Sequence, residues 1–255
     1  MEVILWRWGA FSLYAYTAWV GAGIAVATAF VLIDGRRAGY DPRRLLDGVL
    51  WVLAGGLVGA RVAYVIPNWA DYATNPAALF GQWGGGLVFQ GGLVAGAAAL
   101  GAFALFERLP FLSTADLAAQ GICLAQCLGW LGALVHGANY GMIVRSPVSL
   151  WLPDLYGVYA PRFPTQVVAS LMAAALFVLL RWLNRRTPRP GSLAALYLLG
   201  NGGGHFLLEF TRADEAILHM GILRITQVGG LAQVALGAVA LLYLCQCRVT
   251  LKSEA

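Results

Sequence analysis

The chain has 255 residues, of which 60% are apolar and 11% charged, with a mean hydropathy of +0.71. So few charges cannot cover a water-soluble body of this size, and lipid is the expected solvent for most of it. The net charge of +5 does not mark a nucleic-acid partner, because Lys and Arg fall in short clusters between apolar runs and not along one polar face.

In chain order, the N-terminal MEVILWRWGAF is too short and too aromatic for a cleaved signal peptide, and reads as an interfacial segment with Trp6 and Trp8 at headgroup depth. A helix needs about 20 apolar residues to cross the hydrocarbon layer. Seven runs of that kind follow: Leu13 to Ile33, Leu45 to Ile66, Leu87 to Phe106, Leu117 to Val135, Pro164 to Leu183, Leu193 to Phe210 and Ile222 to Cys245. The links after the first, third, fifth and seventh runs hold Arg36, Arg37, Arg43, Arg44, Arg108, Arg181, Arg185, Arg186, Arg189, Arg248 and Lys252. Short-loop cations mark the cytoplasmic side. The expected fold is therefore an all-α polytopic membrane protein, a single domain over residues 1–255 of a bacterial inner membrane. It has seven transmembrane helices, the N-terminus outside and the C-terminus cytoplasmic.

The opposite face carries longer, aromatic, proline-containing links: PNWADYATNPAALFGQWGGG, HGANYGMIVRSPVSLWLPDLYGVYAPRF and the shorter TRADEAILHMG. Links of that length are more often functional than filler, so a site is expected to open there. Arg61, Gln90, Gln120, Gln126, His136, Gln166, Asn201, His205, Glu209, Arg212 and Gln227 fall inside or at the edge of the runs. Each is either an interhelical hydrogen bond worth about 1 kcal/mol or part of a site, since ionisable groups at membrane depth are costly. Cys123, Cys127, Cys245 and Cys247 lack zinc-site spacing and read as buried, inert residues, and no metal is expected. No cofactor is expected either, beyond the option that His205, after three glycines, ligates the metal of a flat macrocycle.

The order of the pieces resembles the prolipoprotein diacylglyceryl transferase family along nearly the whole chain. Tyr16 falls on a functional Tyr of the family's first helix, with Gly9 and Gly23 in step. VGARVAYV places Arg61 and Tyr64 on the family's G-G-R-x-x-Y stretch, and WGGGLVFQGGL resembles W-D-G-G-x-x-x-H-G-G-x. DLAAQGICLAQCLGWLGALVHGANYG resembles D-x-x-x-P…G-R-x-G-N-x-x-N-x-E-x-x-G, and PRFPTQVVAS resembles R-H-P-S-Q-x-Y-E. LYLLGNGGGHFLLEFTR follows G-Y-x-x-x-R-x-x-x-E-x-x-R, and RITQVGG follows M-G-Q-x-x-S. The resemblance implies seven membrane helices and transfer of the diacylglyceryl group of phosphatidylglycerol to the thiol of a lipobox cysteine, with glycerol phosphate leaving.

The departures from that pattern sit where the resemblance places the chemistry. Gln90 replaces the family His, and Gln cannot accept a thiol proton as imidazole does. Gly84 replaces an Asp, Trp130 an Arg, Ala133 and His136 two Asn, Ala138 a Glu, Asn201 a Tyr and His205 an Arg. The two arginines expected to hold the donor phosphate are thus absent, so no catalytic residue is assigned. Tyr16, Arg61, Arg162, Gln166, Glu209 and Arg212 remain as the lipid-binding set, with Gln227 and the glycine framework. Two readings follow. One is a diverged homologue with lost or impaired transfer that binds a phosphatidylglycerol-like phospholipid and serves as a subunit or assembly factor of a membrane complex. The alternative is a working transferase acting on a lipoprotein precursor, with a rewired site in which His136 stands in as base.

Overall fold

A computed structural model describes residues 4–8, 11–73, 86–186, 189–214, 219–220 and 222–253. Gly9 and Gly84 lie outside the described residues, as do the side chains of Trp8, Arg248, Lys252 and Cys247.

Helices occupy all seven apolar runs. The chain opens on an antiparallel hairpin, β1 (Ile4–Trp8) and β2 (Phe11–Tyr14), and enters α1 (Ala15–Arg37). Then come α2 (Pro42–Val65), the short α3 (Trp69–Ala73), α4 (Phe89–Phe106) and α5 (Phe111–His136). The hairpin β3 (Leu150–Pro153) with β4 (Tyr159–Arg162) leads into α6 (Thr165–Asn184). Next are α7 (Ser192–Leu208) with a 3-10 turn over Glu209–Thr211, the two-residue strands β5 (His219–Met220) and β6 (Leu223–Arg224), and α8 (Ile225–Ser253). The described residues are mostly helical, as expected of an all-α membrane protein, with three two-stranded hairpins outside the helices. The N-terminal segment read as interfacial is the first of them.

Among the described residues six helices, α1, α2, α4, α5, α6 and α8, are long and apolar enough to cross a membrane. The seventh predicted run is shorter. At 17 residues α7 is about 26 Å long, and the 3-10 turn that continues it adds roughly 6 Å. Of the cysteines, Cys123 is buried, Cys127 half-buried and Cys245 exposed on the membrane-length helix α8.

The chain divides into two compact units, residues 32–115 and residues 1–31 with 116–255. In the smaller unit α2 begins sharply because Asp41 caps it, accepting a 2.9 Å bond from the Arg43 amide, with Pro42 at the first helical position. α2 packs along α4 through glycines. A Cβ at Gly59 would stand 2.1 Å from Ala95 Cβ and 2.7 Å from the Gly91 carbonyl, so the two backbones touch. In the larger unit Asp116 of α5 caps α7: its two oxygens accept the Gly191 and Ala194 amides, each at 2.7 Å. A carboxylate there satisfies orphan donors and complements the helix dipole.

Candidate functional site

Polar groups of the larger unit gather in three places. The first is at the end of α7, where the tightening into a 3-10 turn puts Glu209 and Arg212 on one side. Arg212 Nη1 donates to Glu209 Oε2 at 2.9 Å and Nε donates to Asp214 Oδ1 at 2.9 Å. Nη2 donates to Asn139 Oδ1 at 2.8 Å and to the second Asp214 oxygen. Arg224 of β6 completes the cluster, donating to Glu209 Oε1 at 3.3 Å and approaching Asp214 at 3.8 Å. Its amide is held by Gln227 Oε1 at 3.0 Å. Two guanidiniums thus face two carboxylates and cancel their charge, with Glu209 only 5% exposed. Burial pulls the Arg212 pKa down, but the bonds and charge of Asp214, then Glu209, outweigh it, and the net shift is upward.

The second place is the base of the α5–α6 loop. Arg162 Nη2 donates to Asp154 Oδ2 at 3.0 Å, Nη1 reaches the Gly141 carbonyl at 3.5 Å, and the guanidinium lies 4.6 Å over the Tyr140 ring. Both members of this pair are buried. Gln166, in the first turn of α6, donates to the Ala138 carbonyl at 2.8 Å. The loop is stitched to the chain after α7, with the Met142 amide on the Thr211 carbonyl and the Ala213 amide on the Tyr140 carbonyl.

The third place is inside the helices. Tyr197 Oη donates to Gln126 Oε1 at 3.2 Å, Gln126 Nε2 to Asn201 Oδ1 at 2.8 Å, and Asn201 Nδ2 to Gln233 Oε1 at 2.7 Å. This amide chain ties α5, α7 and α8 together. Beside it lies a cavity of about 50 Å³ whose walls include Gln126, Trp130, Met172, Leu176, Asn201 and His205. The Trp130 and His205 ring centroids lie 5.8 Å apart, with the ring planes tilted by 39°. Ala133 is buried in the same helix as Trp130, and His136, at its end, packs its ring 5.4 Å from that of Tyr16.

The smaller unit holds the other two positions of interest. Arg61 donates to the Gly86 carbonyl at 3.3 Å, with its guanidinium 5.8 Å and 5.5 Å from the Tyr64 and Tyr72 rings. Gly86 has φ +77°, and a Cβ there would meet Tyr64 at 2.6 Å and Arg61 at 2.7 Å, so only glycine fits. Gln90 is half-buried in the first turn of α4.

Of the residues singled out from the sequence, the structure pairs Glu209 with Arg212 and brings Trp130, Asn201 and His205 into one cavity wall. The sequence reading misses Asp154, Asp214, Arg224 and Asn139, the partners that neutralise or hold the arginines. Asp154 carries a signal, standing in a P-D-x-x-G turn eight residues before Arg162. Arg224 and Asn139 carry none, since only the fold brings them to residue 212. Among the described residues no three His, Cys, Asp or Glu side chains converge as metal ligands do.

Six membrane-length helices among the described residues, with a small cavity lined by α5, α6 and α7, define a polytopic membrane protein. The chain belongs to the prolipoprotein diacylglyceryl transferase family, whose model matches residues 3–243. It is similar to the phosphatidylglycerol–prolipoprotein diacylglyceryl transferase 2 of Clostridium perfringens, at 29% identity over 84% of each chain. It is likewise similar to phosphatidylglycerol–prolipoprotein diacylglyceryl transferases of Streptococcus agalactiae, 30% identical over 93% of each chain, and Gloeobacter violaceus, 32% identical over 92% of this chain and 90% of the relative. It is a multi-pass protein of the inner membrane.

Proposed function

We propose that this chain is a diverged family member that keeps the membrane fold and a lipid site but has lost the transfer chemistry, and that it acts as a phospholipid-binding subunit or assembly factor of a membrane complex. The observation that carries this reading is the cavity wall. Trp130 and His205 stand where the family pattern has arginine, and their rings pack in a tilted contact beside Asn201, whose amide is bonded at both ends. Displacing a phosphate needs preorganised positive charge opposite the leaving group and a base for the thiol. Arg162, Arg212 and Arg224 each face a carboxylate, which supports a structural use of their charge. Losing one such donor lowers rate about a hundredfold or more.

In this reading the chain is one membrane domain with seven spans, α7 and its 3-10 turn together being the seventh, at roughly 32 Å. The basic links place the N-terminus outside and the C-terminus in the cytoplasm. Tyr16, Arg162, Gln166, Glu209 and Arg212 in the larger unit, and Arg61 in the smaller unit, are the residues assigned to lipid binding.

Complementation tests the proposal. In cells depleted of their own transferase, this chain is expected to leave lipoprotein precursors unprocessed. The triple variant Gln90→His, Trp130→Arg, His205→Arg is expected to restore some maturation. Full rescue by the unaltered chain would overturn the reading. One observation favours the second reading, a working transferase with a rewired site: His136 packs on Tyr16, which puts an imidazole against a family position. In that case purified protein transfers diacylglyceryl from phosphatidylglycerol to a lipobox peptide, and His136→Ala abolishes the transfer.

A further inference from the structure

The loop between α5 and α6 carries an exposed apolar surface that the site does not use. The β3–β4 hairpin presents Leu150, Trp151, Leu155, Tyr156, Val158 and Tyr159 outward, with Tyr156 at its tip 83% exposed and Trp151 68% exposed. Its own charges are turned inward. Asp154 Oδ2 pairs with Arg162, while Asp154 Oδ1 accepts the Tyr156 and Val158 amides, each at 2.9 Å. The same carboxylate that cancels the cation therefore also rigidifies the tip, so the apolar side chains are held out without further ordering. β4 is anchored on its other side, the Val144 amide bonding to the Pro161 carbonyl and the Phe163 amide to the Met142 carbonyl, both at 2.9 Å.

We propose that the β3–β4 hairpin is a lipid-inserting device whose aromatic tip dips into the membrane leaflet that meets the N-terminal end of α6. Three observations select lipid as the occupant. Only Phe163 and Pro164 separate β4 from α6, a reach of about 10 Å, so the hairpin stands at the membrane boundary. α6 itself, which the hairpin leads into, exposes the apolar Leu171, Val178 and Leu179. Tyr and Trp beside aliphatic side chains, with the nearby Arg145 exposed to meet phosphates, are the composition of an interfacial anchor. Left in water, a patch of this kind is an aggregation liability. The inference rests on the membrane fold and is independent of whether transfer chemistry survives.

The test uses the full chain in phosphatidylcholine–phosphatidylglycerol vesicles, with Cys245→Ser and Cys247→Ser and a nitroxide on Tyr156→Cys, Trp151→Cys or, as the aqueous control, Arg185→Cys. Collision rates with oxygen and with a water-soluble nickel chelate report depth. Labels at 156 and 151 are expected to show an oxygen-to-nickel ratio several-fold above that at 185, at a depth of roughly 5–10 Å. A ratio equal to that at 185 overturns the proposal, and so does shielding from both reagents, which marks a protein partner instead of lipid. A second measurement needs no label: brominated lipid is expected to quench the native protein more than Trp151→Phe, and equal quenching counts against the hairpin entering the bilayer.

Discussion

Glu209 is the keystone of the buried charge cluster, and replacing it with the isosteric Gln tests how that cluster is balanced. The carboxylate is 4% exposed and receives Arg212 at 2.9 Å and Arg224 at 3.3 Å. Glu209→Gln keeps the shape but leaves two guanidiniums, 15% and 20% exposed, sharing the single carboxylate of Asp214. Breaking a buried pair by removing one partner destabilises by about 3–5 kcal/mol. Because Asp214 stays in place, the lower end applies, about 3 kcal/mol. Arg224→Met added to this variant removes the excess cation, so the double variant is expected to be more stable than the sum of the single effects, by about 1–2 kcal/mol. Denaturation of the purified protein by sodium dodecyl sulfate in mixed micelles, followed by tryptophan fluorescence, measures all four corners of the cycle. Strict additivity, together with a Glu209→Gln effect within about 0.5 kcal/mol, would refute the idea that charge balance holds this end of α7.

Three further outcomes are expected. Gly59→Val forces a side chain into the Ala95 and Gly91 backbone contact of α2 and α4, and should destabilise by about 3 kcal/mol or more, seen as loss of monodisperse protein on size exclusion. Asp116→Ala removes the acceptor for the Gly191 and Ala194 amides and should weaken the start of α7 by about 0.5–2 kcal/mol, detectable as faster amide exchange at residues 191–195. The Arg212 pKa is raised above its ordinary value by the carboxylates it faces. Its stability contribution is therefore complete below the unfolded-state value and is lost only as pH rises through the folded-state value, so the Arg212→Met destabilisation should be unchanged between about pH 7 and about pH 10.

The spanning helices are legible in the sequence because an apolar run of about 20 residues is a local property. The observed boundaries differ at the ends: the last helix runs on to Ser253 past the run read to Cys245, and α5 starts at Phe111 where the apolar run was read from Leu117. There polar residues find partners that hydropathy cannot see: Thr114 bonds back to the Phe111 carbonyl, and Asp116 serves α7 from 75 residues away. The three hairpins are less visible, being two to five residues per strand inside links whose composition already reads as loop. At the site, Glu209 and Arg212 could be read together because they lie three apart on one turn. Asn139 and Gln233 could not, for each meets its partner only through tertiary packing.

The seam between α2 and α4 bears on how such a chain drifts. Where two backbones meet at Gly59 and Gly91, the crossing of the helices is set by main-chain atoms, and any larger residue there is rejected on steric grounds alone. Substitutions at positions such as Trp130 or His205 leave this joint untouched, because neither side chain takes part in its glycine contacts, so the seam can persist while side chains elsewhere vary.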